Sequence, residues 1–345
     1  MRYNSIKQRR HQKSVQVKAL KESRRRKLWI RQKHRKLIGR SKRQRLFDET
    51  VKNAHLLHAP EEFSINKHPD DVFKFIEELK KVKTKTSIKT VHISLKNCKY
   101  ISNGSIALMI SAIEELKESG IRVSGNYPEN ADAKRTLEKS GFFNYVIGNV
   151  SDENKLTINT IVHQGLNIVD PEVVAPLVTQ AMKTVWGARF RNQRVQSLLI
   201  ELMANTVNHA FISHKNRRWY LSISHDEVKR VASFTFIDNG MGINKTLSIK
   251  FIDKIKALFL SSNIEIIKAA FDGKFGSRTK ERKRGRGLPS IKKSFEENYI
   301  NRLTVVTNDV YLDFQTEKGR KLKYEFEGTC YHWELNLNCI KWDLL

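Results

Sequence analysis

The stretch from Leu198 to Ala210, LLIELMANTVNHA, constrains this chain more than any other. Read as a helix, it places Val195, Leu199, Leu202, Met203, Thr206, Val207 and Ala210 on one side at three- and four-residue spacing. Glu201, Asn205, Asn208 and His209 fall on the other side. Glu201 and Asn205 stand one turn apart, so a carboxylate and a carboxamide point the same way. A half-buried helix with a solvated polar face satisfies this pattern too, and two later stretches bear on the choice. In Phe234-Thr-Phe-Ile-Asp238-Asn-Gly240-Met-Gly242-Ile243 an alternating strand runs into an acid and then two glycines. In Gly285-Arg286-Gly287-Leu288-Pro289 a glycine pair opens a helical pattern. Each glycine pattern alone is weak, because tight turns use glycine anyway.

Together, in this order after an E-x-x-x-N helix, the three resemble the GHKL superfamily of ATP-binding domains. That superfamily includes DNA gyrase, the ninety-kilodalton heat-shock chaperones, histidine kinases, MutL-type repair proteins and the anti-sigma-factor serine kinases. The resemblance runs from about Asn167 to the C-terminus. It implies an α/β sandwich over 165–345, a mixed, mostly antiparallel sheet backed by helices, with ATP and Mg2+ as cofactors. It further implies Glu201 as general base and Asn205 as magnesium ligand, with Asn208 and His209 beside the phosphates. Asp238 would accept from the exocyclic amine of adenine, assisted by Thr329, and Gly240 and Gly242 would let the backbone approach the base. Gly285, Gly287 and Leu288 would offer helix-start amides to phosphate oxygens. Arg284 and Arg286, at the end of a lid spanning Asn244–Arg284 and just beyond it, would sense the γ-phosphate; a solvated basic loop or a second nucleic-acid contact is the alternative. The chemistry is coherent: phosphoryl chemistry needs a positioned water, a metal and a phosphate cradle. A neutral amide oxygen suits a hard cation that keeps several waters. There is no G-x-x-x-x-G-K-[ST] motif.

Upstream, helical and strand patterns alternate: a helix over Asp70–Val82, a strand at Thr90–Leu95, helices over Gly104–Ser119 and Asn130–Ser140, and a short strand at Ile121–Ser124. His55–Ser64, with Pro60, reads as a linker. Residues 65–150 thus read as a small α/β unit. It resembles a STAS domain, the fold of anti-anti-sigma factors, through Val91–Leu95, the turn Tyr100–Gly104, Leu108 and Leu116, and Leu137–Phe142. That family usually carries Asp-Ser-Ser-Gly in the turn. This chain has Ser102-Asn103-Gly104-Ser105, so the serines read as turn or cap residues.

Charge is unevenly placed. Residues 1–46 hold 19 Lys and Arg against one acid, Glu22, a net of +18 within a whole-chain formal charge of +28. A segment of this kind, residues 1–48, reads as a disordered or partly helical tail. It fits nucleic-acid backbone binding, with an acidic protein or an anionic membrane surface as alternatives. Three scattered cysteines fit a reducing compartment better than a disulfide framework. No apolar run approaches the roughly 20 residues of a membrane span, and the charged N-terminus is unlike a secretory signal. The expected location is the cytoplasm. The expected partners are nucleic acid through the tail, a protein through the STAS-like unit, and a second copy in a homodimer. The expected function is a slow Mg-dependent ATPase acting as a conformational switch. The alternatives are a serine/threonine kinase of the anti-sigma type and a nucleic-acid adaptor with structural ATP.

Overall fold

The computed structural model describes residues 54–142, 162–166, 168–209, 218–275 and 287–340, together with 21–22, 24–29 and 32. The described residues of the tail are helical. Most of the tail, the connector 150–161, the basic run 278–283, and Arg284, Gly285 and Arg286 lie outside the described residues, as does the side chain of His209.

The larger sheet contains β6 (Val162–Leu166), β7 (Arg218–Asp226), β8 (Val231–Asp238), β9 (Asn301–Asp313) and β10 (Lys318–Leu335), in the order β6-β7-β8-β10-β9. Every neighbouring pair is antiparallel, so this sheet is not mixed as expected. Alternation sends side chains to opposite faces. Trp219, Leu221, Phe234, Phe236, Tyr331 and Trp333 join one apolar cluster with α4 (Pro171–Trp186) and α5 (Gln193–His209). The rings of Phe234 and Trp333 stack at 5.2 Å across adjacent strands. Asp170 and Asn192 begin the two helices, accepting from the backbone N–H groups of Val173 and Val195. Tyr220, Ile237 and Cys330 point the other way, into a second cluster.

That second cluster belongs to the N-terminal α/β unit. Its elements are β1 (His55–His58), β2 (Glu62–Phe63), α1 (Pro69–Lys81), β3 (Thr90–Ser94), β4 (Tyr100–Ile101), α2 (Asn103–Glu118), β5 (Arg122–Gly125) and α3 (Ala131–Lys139). Strands β1-β3-β5 form a parallel sheet, and β2 pairs with β4. The expected linker at His55–Ser64 is therefore structured, and the unit begins at residue 55 instead of 65. Its strand, His-Leu-Leu-His, is four residues long with only Leu57 buried, too brief to show a period, and Pro60 follows it as in a loop. The serines of the turn act as a cap: Ser102 Oγ accepts from the Ser105 N–H at 3.2 Å, and Ser105 is fully buried.

Helices α1 and α2 lie between the parallel sheet and the back of the antiparallel sheet, α1 against β10 and α2 against β7 and β8. The segments 65–150 and 165–345 thus share an apolar core inside one compact body, His55–Leu345. The insertion after β8 folds as α6 (Ile243–Ala257) and α7 (Asn263–Phe271). With Phe275 these helices form a small cluster of their own. The long strand β10 is interrupted by register shifts around Phe326. The interruption falls beside Asp238.

Candidate functional site

The polar face of α5 forms because its other face is fully used. Val195, Leu199, Leu202, Met203 and Thr206 are buried against the sheet, which leaves Glu201, Asn205 and Asn208 pointing away from it. Asn208, one turn beyond Asn205 and two beyond Glu201, is exposed. Facing Glu201 and Asn205 is the first residue of α8 (Gly287–Glu296). A Cβ at Gly287 would stand 2.5 Å from Glu201 Oε1, 2.8 Å from Asn205 Nδ2 and 3.0 Å from Asn205 Oδ1. Only glycine allows the helix start to approach this closely. Leu288 follows, half-buried between the main cluster and that of the insertion.

Burial raises the pKa of the Glu201 carboxyl. The Asn205 amide nitrogen is buried with no hydrogen-bond partner among the described residues. Buried amides normally find one, so this donor is available to an acceptor entering the site.

The second half of the site lies where β8 ends. Asp238 is buried, and its carboxylate accepts from the Gly240 N–H at 2.9 Å and from the Thr329 hydroxyl across the strand pair. Burial pushes its pKa up to about 6, against the pull of those hydrogen bonds and of the nearby Lys80 charge. The backbone beside it is held from three directions. Thr307 Oγ1 accepts from the Ile243 N–H at 2.8 Å and donates to the Gly328 carbonyl at 3.2 Å. Asn308 bonds the Met241 carbonyl and the Asn244 N–H on either side of Gly242. Gly328, at φ 130°, lies flat on the Asp238 carbonyl where a side chain could not.

Tyr331 is buried in the main apolar cluster, on the α5 side of β10. Burial, with the charges of Asp238 and Glu201 both bearing on it, raises its pKa well above the usual phenol value. The structure thus brings Glu201, Asn205 and Gly287 together, and Asp238, Gly240 and Thr329 together. Sequence reasoning missed Tyr331, Thr307, Asn308 and Lys80. Alternation along the last strand could have placed Tyr331 on the α5 side two residues after Thr329. Nothing local marks the other three, whose partners are 21 or more residues away.

Among the described residues no group of three or more His, Cys, Asp or Glu side chains is placed to hold a metal, and no helix is long and apolar enough to cross a membrane. Neither a model of a known protein family nor a curated protein sequence matches this chain.

Proposed function

We propose that the protein binds an adenine nucleotide with magnesium across these two half-sites and turns it over slowly, as an ATP-driven switch of the GHKL kind. The observation that carries this reading is the contact of Gly287 with Glu201 and Asn205. It sets a helix N-terminus, whose free amides favour anions, directly against a carboxylate and an amide with an unused donor. Asp238 supports the other end. A buried carboxylate at a strand end is an acceptor for an amino group and a poor neighbour for a carbonyl, which favours adenine over guanine.

The residues fit the cofactors. Asn205 Oδ1 would hold magnesium, and Nδ2 would donate to a phosphate oxygen. Magnesium, when bound, supplies charge neutralisation to the triphosphate. Such an ion commonly takes one or two protein ligands and completes its shell from phosphates and water. Glu201, with its raised pKa, is suited to orient a water and take its proton. Asp238 and Thr329 orient the base end.

Transfer of phosphate to the Ser102–Ser105 turn is disfavoured, since one hydroxyl caps α2 and the other is fully buried. The cation excess of residues 1–46 supports a nucleic-acid partner for the tail. The test of the reaction is incubation with γ-labelled ATP and magnesium. Free phosphate is expected. Labelled protein would instead support the kinase, and neither product would reduce ATP to a structural ligand.

A further inference from the structure

Two consecutive glutamates on α2 reach both strand ends that carry the base half of the site. Glu114 Oε2 accepts from Arg218 Nη1 and from the Tyr220 hydroxyl, each at 2.8 Å, and Arg218 also pairs with Glu118 at 2.5 Å. Arg218 opens β7 beside Asp238, and its backbone N–H donates to Asn239 Oδ1 at 3.1 Å. Glu115 meets Lys80 Nζ at 2.7 Å, a charge contact without the alignment of a hydrogen bond. Lys80 then donates to the Glu327 carbonyl at 3.1 Å, with its ammonium 5.2 Å over the Phe326 ring. Phe326, Glu327 and Gly328 form the interruption in β10 that precedes Thr329. Lys80 is 7% exposed, and the side chains of Glu114 and Glu115 are nearly as well covered.

We infer that the N-terminal α/β unit is a built-in part of the nucleotide site, with Lys80 and Glu115 as positioning residues that fix Gly328 and Thr329 against Asp238, while Glu114 and Arg218 fix the other side. A buried ion pair contributes little stability relative to an apolar pair of the same size. What it imposes here is the position of one backbone carbonyl, two residues before the hydroxyl that bonds Asp238. Displacement of α1 and α2 by a partner would therefore loosen the base half of the site and leave the Glu201–Asn205–Gly287 half in place. This inference rests on the adenine-nucleotide reading above.

The test uses the full chain and four variants: Lys80→Met, Lys80→Arg, Glu115→Gln, and Arg320→Met as control. Arg320 pairs with Asp70 across the same interface at 2.7 Å, away from the interruption. Calorimetric titration should show Lys80→Met losing about tenfold or more in affinity. The loss should be equal for magnesium-free ADP and for Mg-ATP, with a smaller preference over GTP. Lys80→Arg should recover part of the loss, Glu115→Gln should show a milder version, and Arg320→Met should bind as wild type. Hydrogen exchange of peptides spanning 237–243 and 326–331 should accelerate in Lys80→Met and not in Arg320→Met. Wild-type exchange at those peptides in a folded Lys80→Met or Glu115→Gln overturns the clamp. Accelerated exchange in Lys80→Met, together with a wild type that binds no nucleotide, sustains the clamp and refutes the nucleotide reading. If Lys80→Met does not fold, the Glu115→Gln exchange and affinity decide.

Discussion

A methyl group at Gly287 separates the proposed phosphate half of the site from the stability of the fold. In Gly287→Ala the new Cβ would meet Glu201 Oε1 at 2.5 Å and the Asn205 amide at 2.8–3.0 Å. These neighbours are the free ends of side chains, so they can rotate away while the backbone of α5 stays where its buried face holds it. Residual overpacking costs about 1–3 kcal/mol. Alanine in place of a helical glycine returns up to about 1 kcal/mol, so the melting temperature should fall by only a few degrees. The function should fall further. A displacement of about 1 Å at a catalytic group can cost about a hundredfold in rate. Loss of one charge-assisted contact from Asn205 costs about 1.5–3 kcal/mol in Mg-ATP binding. Titration of Mg-ATP and of magnesium-free ADP, followed by phosphate release, checks this. Only the Mg-ATP affinity and the turnover should drop. A folded Gly287→Ala that binds Mg-ATP and releases phosphate as wild type does would refute the role given to this contact.

Other outcomes follow from the same geometry. Glu201→Ala should keep Mg-ATP affinity within a few-fold and lose phosphate release, while Asn205→Ala should weaken Mg-ATP and spare magnesium-free ADP; titration and release assays separate the two. Asp238, at about 6 when folded and 3.8 when not, keeps a proton between those pH values that the unfolded chain has released. Stability of the free protein should therefore decline as pH rises from about 4 to 6, by about 3 kcal/mol from this group, with no cost below the unfolded value. Urea melts across that range measure it. On the proposed reading an amino group would bind the ionised carboxylate, so ATP affinity should be flat above about pH 7 and fall as pH drops through about 6, read by calorimetry. Deleting residues 1–46 should abolish mobility shifts of DNA or RNA at low salt and leave ATP affinity unchanged. With about 6–10 phosphates contacted, the intact chain should lose roughly 10³–10⁵ in nucleic-acid affinity between 50 and 200 mM salt.

Much of the fold was legible because its periods are local. The apolar row of α5 and the alternation that runs into Asp238 repeat within a few turns or pairs, although α5 begins at Gln193, five residues before the stretch that opens on Leu198. Strand β1 was not legible, since His-Leu-Leu-His becomes a strand only through pairing with Val91–Ser94. The continuity of β10 was hidden for a related reason: the shift at Phe326 breaks the alternation that would mark one strand. In the site, Glu201 and Asn205 were readable from their helical spacing. Their contact with Gly287 was not, because spacing within a helix says nothing of what packs against it. Lys80 lay deepest. It reads as one lysine of a Lys-Lys pair at a helix end, and only the sheet behind it turns it inward toward Glu327.

The central claim is that this site takes an adenine nucleotide, and a calorimetric titration of the wild-type chain with Mg-ATP and with Mg-GTP tests it most directly. The account predicts saturable one-site binding of ATP, with GTP weaker by about tenfold or more, the equivalent of one lost hydrogen bond at Asp238. Equal affinity for the two nucleotides, or no binding of either, would contradict it.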